Sequence, residues 1–116
     1  MAAILIVDDE PDVRFVLKMA FESAGHQIVE ANHGGTALES VASSRPDLVV
    51  TDVMMPILDG LELVRRLRSN PETAAIPILL LSSRATATSG ADLALAKPFR
   101  PHEVLAAGLS LIEGGG

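Results

Sequence analysis

A doubly wound α/β fold, one parallel sheet covered by helices on both faces, is predicted from three features of this sequence. Short β-branched or leucine-rich runs recur along the chain, none of them alternates cleanly between apolar and polar residues, and segments of helical period lie between them. Alternation of this kind requires right-handed crossovers, which lay the helices on both sides of parallel strands.

Taken in order, Ile4 to Val7 predicts the first strand. Val13, Val16, Leu17, Ala20, Phe21 and Ala24 then form one apolar stripe of helical spacing, with Pro11 in the first turn and Gly25 just past the end. A second strand is centred on Ile28-Val29, and the helix marked by Ala37, Leu38, Val41 and Ala42 stops before Pro46. Leu48 to Val50 gives the third strand. Its helix, marked by Leu63, Val64 and Leu67, is entered at Asp59-Gly60 and ends near Asn70-Pro71. Ile78 to Leu81 and the weaker Leu93 to Ala96 complete the strands, all of them expected to be buried on both faces. The last helix carries Val104, Leu105, Leu109 and Ile112, is opened by Pro101 and frays into Gly114-Gly115-Gly116. No repeat, linker or charge block marks a second unit, so residues 1–116 read as a single domain.

Composition narrows the function. The 116 residues carry 15 acidic against 9 basic side chains, a net charge of −6, and 48% hydrophobic residues, enough for one core. Lys18, Lys97 and the scattered arginines form no basic face, so direct nucleic-acid binding is not expected. The absence of cysteine excludes disulfides, thiolate chemistry and Cys-ligated zinc, and suits a reducing compartment. No apolar stretch approaches the ~20 residues of a membrane span and the N-terminus is too short for a signal-peptide core, so a soluble cytoplasmic protein without membrane contact is expected.

The polar residues gather where such a fold binds ligands. Val7 is followed by Asp8-Asp9-Glu10, Val50 by Thr51-Asp52, Leu81 by Ser82-Ser83 and Ala96 by Lys97-Pro98. The carboxyl ends of the strands form the ligand crevice of an open parallel sheet, so topology alone brings these groups to one edge. Singly, each has an ordinary reading: Asp8-Asp9 as helix caps, Asp52 as a loop residue, Ser82 as a cap, Lys97 as a solvated charge. Jointly, clustered carboxylates repel one another unless a cation neutralises them, and all-oxygen ligation with open positions favours Mg²⁺. Lys97 and Ser82 could then meet phosphate oxygens, which leaves an aspartate as nucleophile and an acyl phosphate as product.

Ile6-Val7-Asp8-Asp9-Glu10, Asp47 to Pro56 with Asp59-Gly60, Ile78 to Ser82, and Lys97-Pro98-Phe99 together resemble the receiver domain of two-component response regulators, in order and across nearly the whole chain. The resemblance implies a flavodoxin-like five-stranded sheet of order 2-1-3-4-5. It implies that Asp52 accepts a phosphoryl group from a histidine kinase or phosphotransfer protein. It also implies that Asp8, Asp9, Asp52 and the backbone carbonyl of Met54 hold Mg²⁺, that Ser82 hydrogen-bonds the phosphoryl group, that Lys97 pairs with it, and that Lys97-Pro98 is cis. Such a domain is a signalling phosphoacceptor with self-catalysed transfer and hydrolysis rather than an enzyme acting on a separate substrate. With no effector region after Ile112, its output is expected by contact with a downstream protein.

Two departures from the family pattern stand out. Ala94 occupies the position, three before the lysine, where relatives carry an aromatic switch residue. Only Ser83 to Asp92 separate the fourth and fifth strands, so the fourth helix is expected to be very short or absent, with a loop that orders around the phosphoryl group as the available switch. Met54 and Arg84 are expected to flank the path of hydrolytic water. A haloacid-dehalogenase-type phosphatase would need a carboxylate where Met54 stands, and a nucleotide site would need a phosphate loop that is missing. The alternative is a receiver-like interaction module that is not phosphorylated.

Overall fold

The computed structural model describes residues 2–82 and 90–114. β1 (Ala3–Val7), α1 (Pro11–Ser23), β2 (Gln27–Ala31), α2 (Gly34–Ser43), β3 (Leu48–Asp52), α3 (Gly60–Ser69), β4 (Ile78–Ser82), β5 (Leu93–Ala96) and α4 (Pro101–Gly114) follow one another along the chain. All neighbouring strands are parallel, in the order β2-β1-β3-β4-β5, as expected.

Alternate residues of the central strands feed two cores, because successive side chains of a strand point to opposite faces. Ile4 and Ile6 of β1, Leu48 and Val50 of β3, and Leu79 and Leu81 of β4 pack with Leu17, Phe21 and Val104 of α1 and α4. Leu5, Val7, Val49, Ile78 and Leu80 pack on the other face with Ala37, Val41, Leu63, Val64 and Leu67 of α2 and α3. Burial on both faces holds for these three strands but not for β2 or β5. β2 lies at the sheet edge with Val29 48% exposed, and β5, at the other edge, is half-buried, because each has one neighbouring strand instead of two.

The helix ends have local causes. α1 closes as the spacing predicts: the N–H of Gly25, at φ 90, donates to the Glu22 carbonyl, and that of His26 donates to Phe21, an arrangement that needs a residue with free access to positive φ. α3 is capped by Asp59, whose carboxylate accepts from the Glu62 N–H at 2.9 Å. α2 is capped by His33, whose Nδ1 accepts from the N–H groups of Gly35 (2.9 Å) and Thr36 (3.3 Å). His26 Nδ1 likewise accepts from the Ala2 N–H. Both histidines therefore serve as acceptors for backbone N–H groups.

Of the short fourth crossover, residues 83–89 lie outside the described residues, and the expected switch loop and Arg84 lie there. Its exit is well held: Ala91 is buried, and the Arg68 guanidinium of α3 donates to the Gly90 carbonyl and the Asp92 carboxylate. Asp92 in turn pairs with the backbone of Ile78 at the start of β4.

Candidate functional site

Strand register builds the site. β1 and β3 pair as far as Val7 with Thr51, so Asp8 and Asp52 stand one residue beyond, side by side, on the alternation that faces α1 and α4. Both are buried, Asp8 to 1% exposure, and buried Ser82 ends β4 nearby. Ser82 pairs with Ala96 of β5, and its carbonyl accepts from the Lys97 N–H at 2.6 Å, so the lysine leaves the sheet at this same edge. The Lys97-Pro98 bond is cis. The lysine Nζ lies 2.8 Å from Asp52 Oδ1.

The loop after Asp52 is pinned to the site by its backbone. Thr51 Oγ1, fully buried, donates to the Asp52 carbonyl at 2.9 Å. Gly60 presses against that carbonyl so closely that a Cβ would collide with it, while its N–H bonds Val53. Between them, the Leu58 N–H closes a tight turn on the Pro56 carbonyl at 2.7 Å, with Ile57 at its centre at φ 69 and 83% exposed. A β-branched residue in the left-handed region is strained, and here no burial compensates it. Met54, two residues after Asp52, is 72% exposed.

The carboxylates are electrostatically unsettled. Asp8 Oδ1 accepts from the Glu10 N–H at 2.9 Å, but Oδ2 is buried and has no hydrogen-bond partner among the described residues. Burial pushes the Asp8 carboxyl up from its ordinary 3.8 to about 6; the charges of Asp52 and Asp9 add to this, against the opposing Glu10 hydrogen bond and Lys97. For Lys97, burial acts downward, but the hydrogen bond and charge of Asp52 outweigh it and hold the ammonium above its ordinary value. Carboxylate oxygens of Asp8, exposed Asp9 and exposed Glu10 lie within 4.8 Å of one another. Asp52 is not in that trio; it enters through its charge on Asp8 and its pairing with Lys97.

The response regulator receiver domain family matches residues 4–108. This chain belongs to it. The receiver is 44% identical over 110 residues to the response regulator MprA of Mycolicibacterium vanbaalenii, covering 89% of this chain and 47% of that protein. It thus spans about half the length of that relative. Among solved structures it is similar to the signal receiver domain of a signal transduction histidine kinase from Syntrophus aciditrophicus, with a TM-score of 0.91, 31% identity, and coverage of 98% of this chain and 92% of that one. It is also similar to the chemotaxis response regulator CheY4 of Vibrio cholerae, with a TM-score of 0.88, 30% identity, and coverage of 97% and 98%.

The expected Asp8, Asp52, Ser82 and Lys97 thus gather at one edge of the receiver, with Asp9 beside them. The sequence assigns no role to three further participants. Glu10 completes the carboxylate trio and was adjacent to the signal. Thr51 holds the Asp52 backbone, and its place inside an apolar strand was the available hint. Arg14 donates to the Asp8 carbonyl at 2.6 Å, a contact across a turn that no periodicity announces.

Proposed function

We propose that Asp52 is a Mg²⁺-dependent phosphoacceptor that takes its phosphoryl group from the phosphohistidine of a histidine kinase or phosphotransfer protein. The observation that carries this reading is the Asp52–Lys97 pair beside a buried Asp8 oxygen that has no partner among the described residues. A buried carboxylate whose pKa has risen to about 6, grouped with Asp9 and Glu10, is short of positive charge, and its hard oxygen donors suit Mg²⁺. Asp8 and Asp9, with Asp52 and the Met54 backbone carbonyl, would hold the ion, which when bound neutralises charge on the phosphoryl oxygens.

The chain's own groups do the rest. The Asp52 carboxylate oxygen forms the new O–P bond as the donor's P–N bond breaks and its electron pair returns to the imidazole. Thr51 and Gly60 keep the Asp52 backbone in place during the transfer. Lys97 passes from the Asp52 oxygen to an oxygen of the phosphoryl group, and the Ser82 hydroxyl supplies a further donor. Water later attacks to release phosphate, so the domain signals and resets without turning over a separate substrate.

Output passes through contact with a downstream protein, without direct binding of nucleic acid by this domain, consistent with its net charge of −6. Among the described residues no helix is long and apolar enough to cross a membrane, and the family function fits the cytoplasm. Incubation with acetyl phosphate, with and without Mg²⁺, followed by intact mass tests the proposal. One added phosphoryl group in wild type with Mg²⁺, and none in Asp52→Asn, is expected. Equal labelling of Asp52→Asn would place the phosphoryl group on another residue, and no labelling of wild type would favour the unphosphorylated interaction module instead.

A further inference from the structure

Arg14 is the best-connected side chain of the site that the proposed chemistry leaves unused. It lies in α1, six residues past Asp8, and its Nη1 donates to the Asp8 carbonyl at 2.6 Å while its Nε donates to Glu30 Oε1 at 3.1 Å. Glu30 stands near the end of edge strand β2, and the next residue, Ala31, accepts from the Asp8 N–H at 3.1 Å. The end of β2 therefore grips Asp8 twice, directly through Ala31 and through Glu30 by way of Arg14. The third tether is the bond from the Glu10 N–H to Asp8 Oδ1.

The carbonyl that Arg14 holds belongs to the peptide unit joining Asp8 to Asp9. That unit is planar, so fixing its oxygen fixes the direction in which the chain enters Asp9. Asp9 is exposed, and its carboxylate has no hydrogen bond or ion pair among the described residues. A guanidinium suits the task because its rigid fork bonds two acceptors at once, whereas an ammonium on a flexible stem does not hold such a bridge in one geometry.

We infer that Arg14, braced by Glu30, is a positioning residue for the Asp8-Asp9 metal loop, setting Mg²⁺ affinity through the backbone and not through its charge. This rests on the proposed Mg²⁺ role of Asp8 and Asp9. Charge and positioning predict opposite signs. A cation near a cation site repels it, so loss of Arg14 would tighten Mg²⁺ binding by charge alone, while loss of the tether would weaken it.

The test is Mg²⁺ titration of the purified chain by calorimetry and backbone amide NMR, which suits a protein without Trp or Tyr. Arg14→Met, which keeps the apolar stem, is expected to raise the Mg²⁺ Kd about tenfold, the range for partners that orient metal ligands. Arg14→Lys, which keeps the charge, weakens binding as well. Glu30→Gln gives a smaller loss, and the Arg14→Met/Glu30→Gln double variant is no worse than Arg14→Met alone. Lys18→Gln removes a charge that also faces Glu30, at 3.8 Å, but does not touch Asp8, and should leave the Kd unchanged or slightly lower. Unchanged or tighter binding in Arg14→Met with native amide shifts overturns the inference and leaves the metal reading standing. Absence of Mg²⁺ binding in wild type overturns both. A fall in stability with no change in Kd shows Arg14 to be a structural brace only.

Discussion

Replacing Asp8 by Asn should make the metal-free protein more stable at neutral pH, although it removes a charge from the functional site. Asp8 is buried, and its pKa stands at about 6 against an ordinary 3.8. The folded state therefore binds a proton more readily than the unfolded chain between these values, and stability falls as pH rises through that window. Below pH ~4 the group is protonated in both states and costs nothing. Above about 6 the ionised carboxylate is held in place at a penalty which, at 1.36 kcal/mol per pKa unit, comes to about 3 kcal/mol as an upper figure. Asn keeps the oxygen that accepts from the Glu10 N–H and carries no charge. Urea unfolding in EDTA should show Asp8→Asn more stable than wild type by about 1–3 kcal/mol at pH 7, with the difference shrinking toward zero near pH 4. Saturating Mg²⁺ should narrow or reverse the gap, since a ligand at 100 times its Kd stabilises the native state by about 2.7 kcal/mol and wild type binds it better. A variant less stable than wild type by the same amount at both pH values, in EDTA, would refute the reasoning.

Ile57→Gly should stabilise the fold by about 0.5–1 kcal/mol, because relief of a left-handed β-branched residue exceeds the extra unfolded-state entropy of glycine and the exposed side chain loses little packing. A melting temperature below that of wild type would contradict this. His33→Ala should cost about 1 kcal/mol and speed amide exchange at Gly35 and Thr36, whose N–H groups lose their acceptor; unchanged exchange would remove His33 from the cap. Met54→Asn should hasten loss of phosphate from the phosphorylated protein, since the exposed thioether offers nothing to orient attacking water and an amide does. Equal decay of the two proteins would show that Met54 does not guard the acyl phosphate.

The sequence carried the fold through features of long range in composition but short range in cause. Apolar runs, helical stripes, Pro11, Gly25 and Asp59 each act on their own neighbourhood, and strand ends bring Asp8, Asp52, Ser82 and Lys97 to one edge by topology. What was hidden depends either on partners far along the chain or on residues unusual in their local role. The exposure of Val29 follows from strand order, not from the residues of β2, whose run resembles a buried strand. His33 is an uncommon cap, and its role appears only once Gly35 and Thr36 turn their amides toward Nδ1. The strain at Ile57 is invisible in composition because glycine or asparagine is the usual mark of such a turn. The Arg14 bridge joins α1, the β1–α1 turn and β2, three segments that meet only in the folded sheet.

The most direct measurement is reductive trapping of the phosphorylated protein. Borohydride converts an aspartyl phosphate to homoserine, which peptide mass spectrometry locates in the chain. After treatment with acetyl phosphate and Mg²⁺, homoserine is predicted at position 52 alone, and none when EDTA replaces Mg²⁺. Homoserine at position 8 or 9, or the same yield at position 52 in EDTA, would contradict the assignment of Asp52 as acceptor in a Mg²⁺-dependent site.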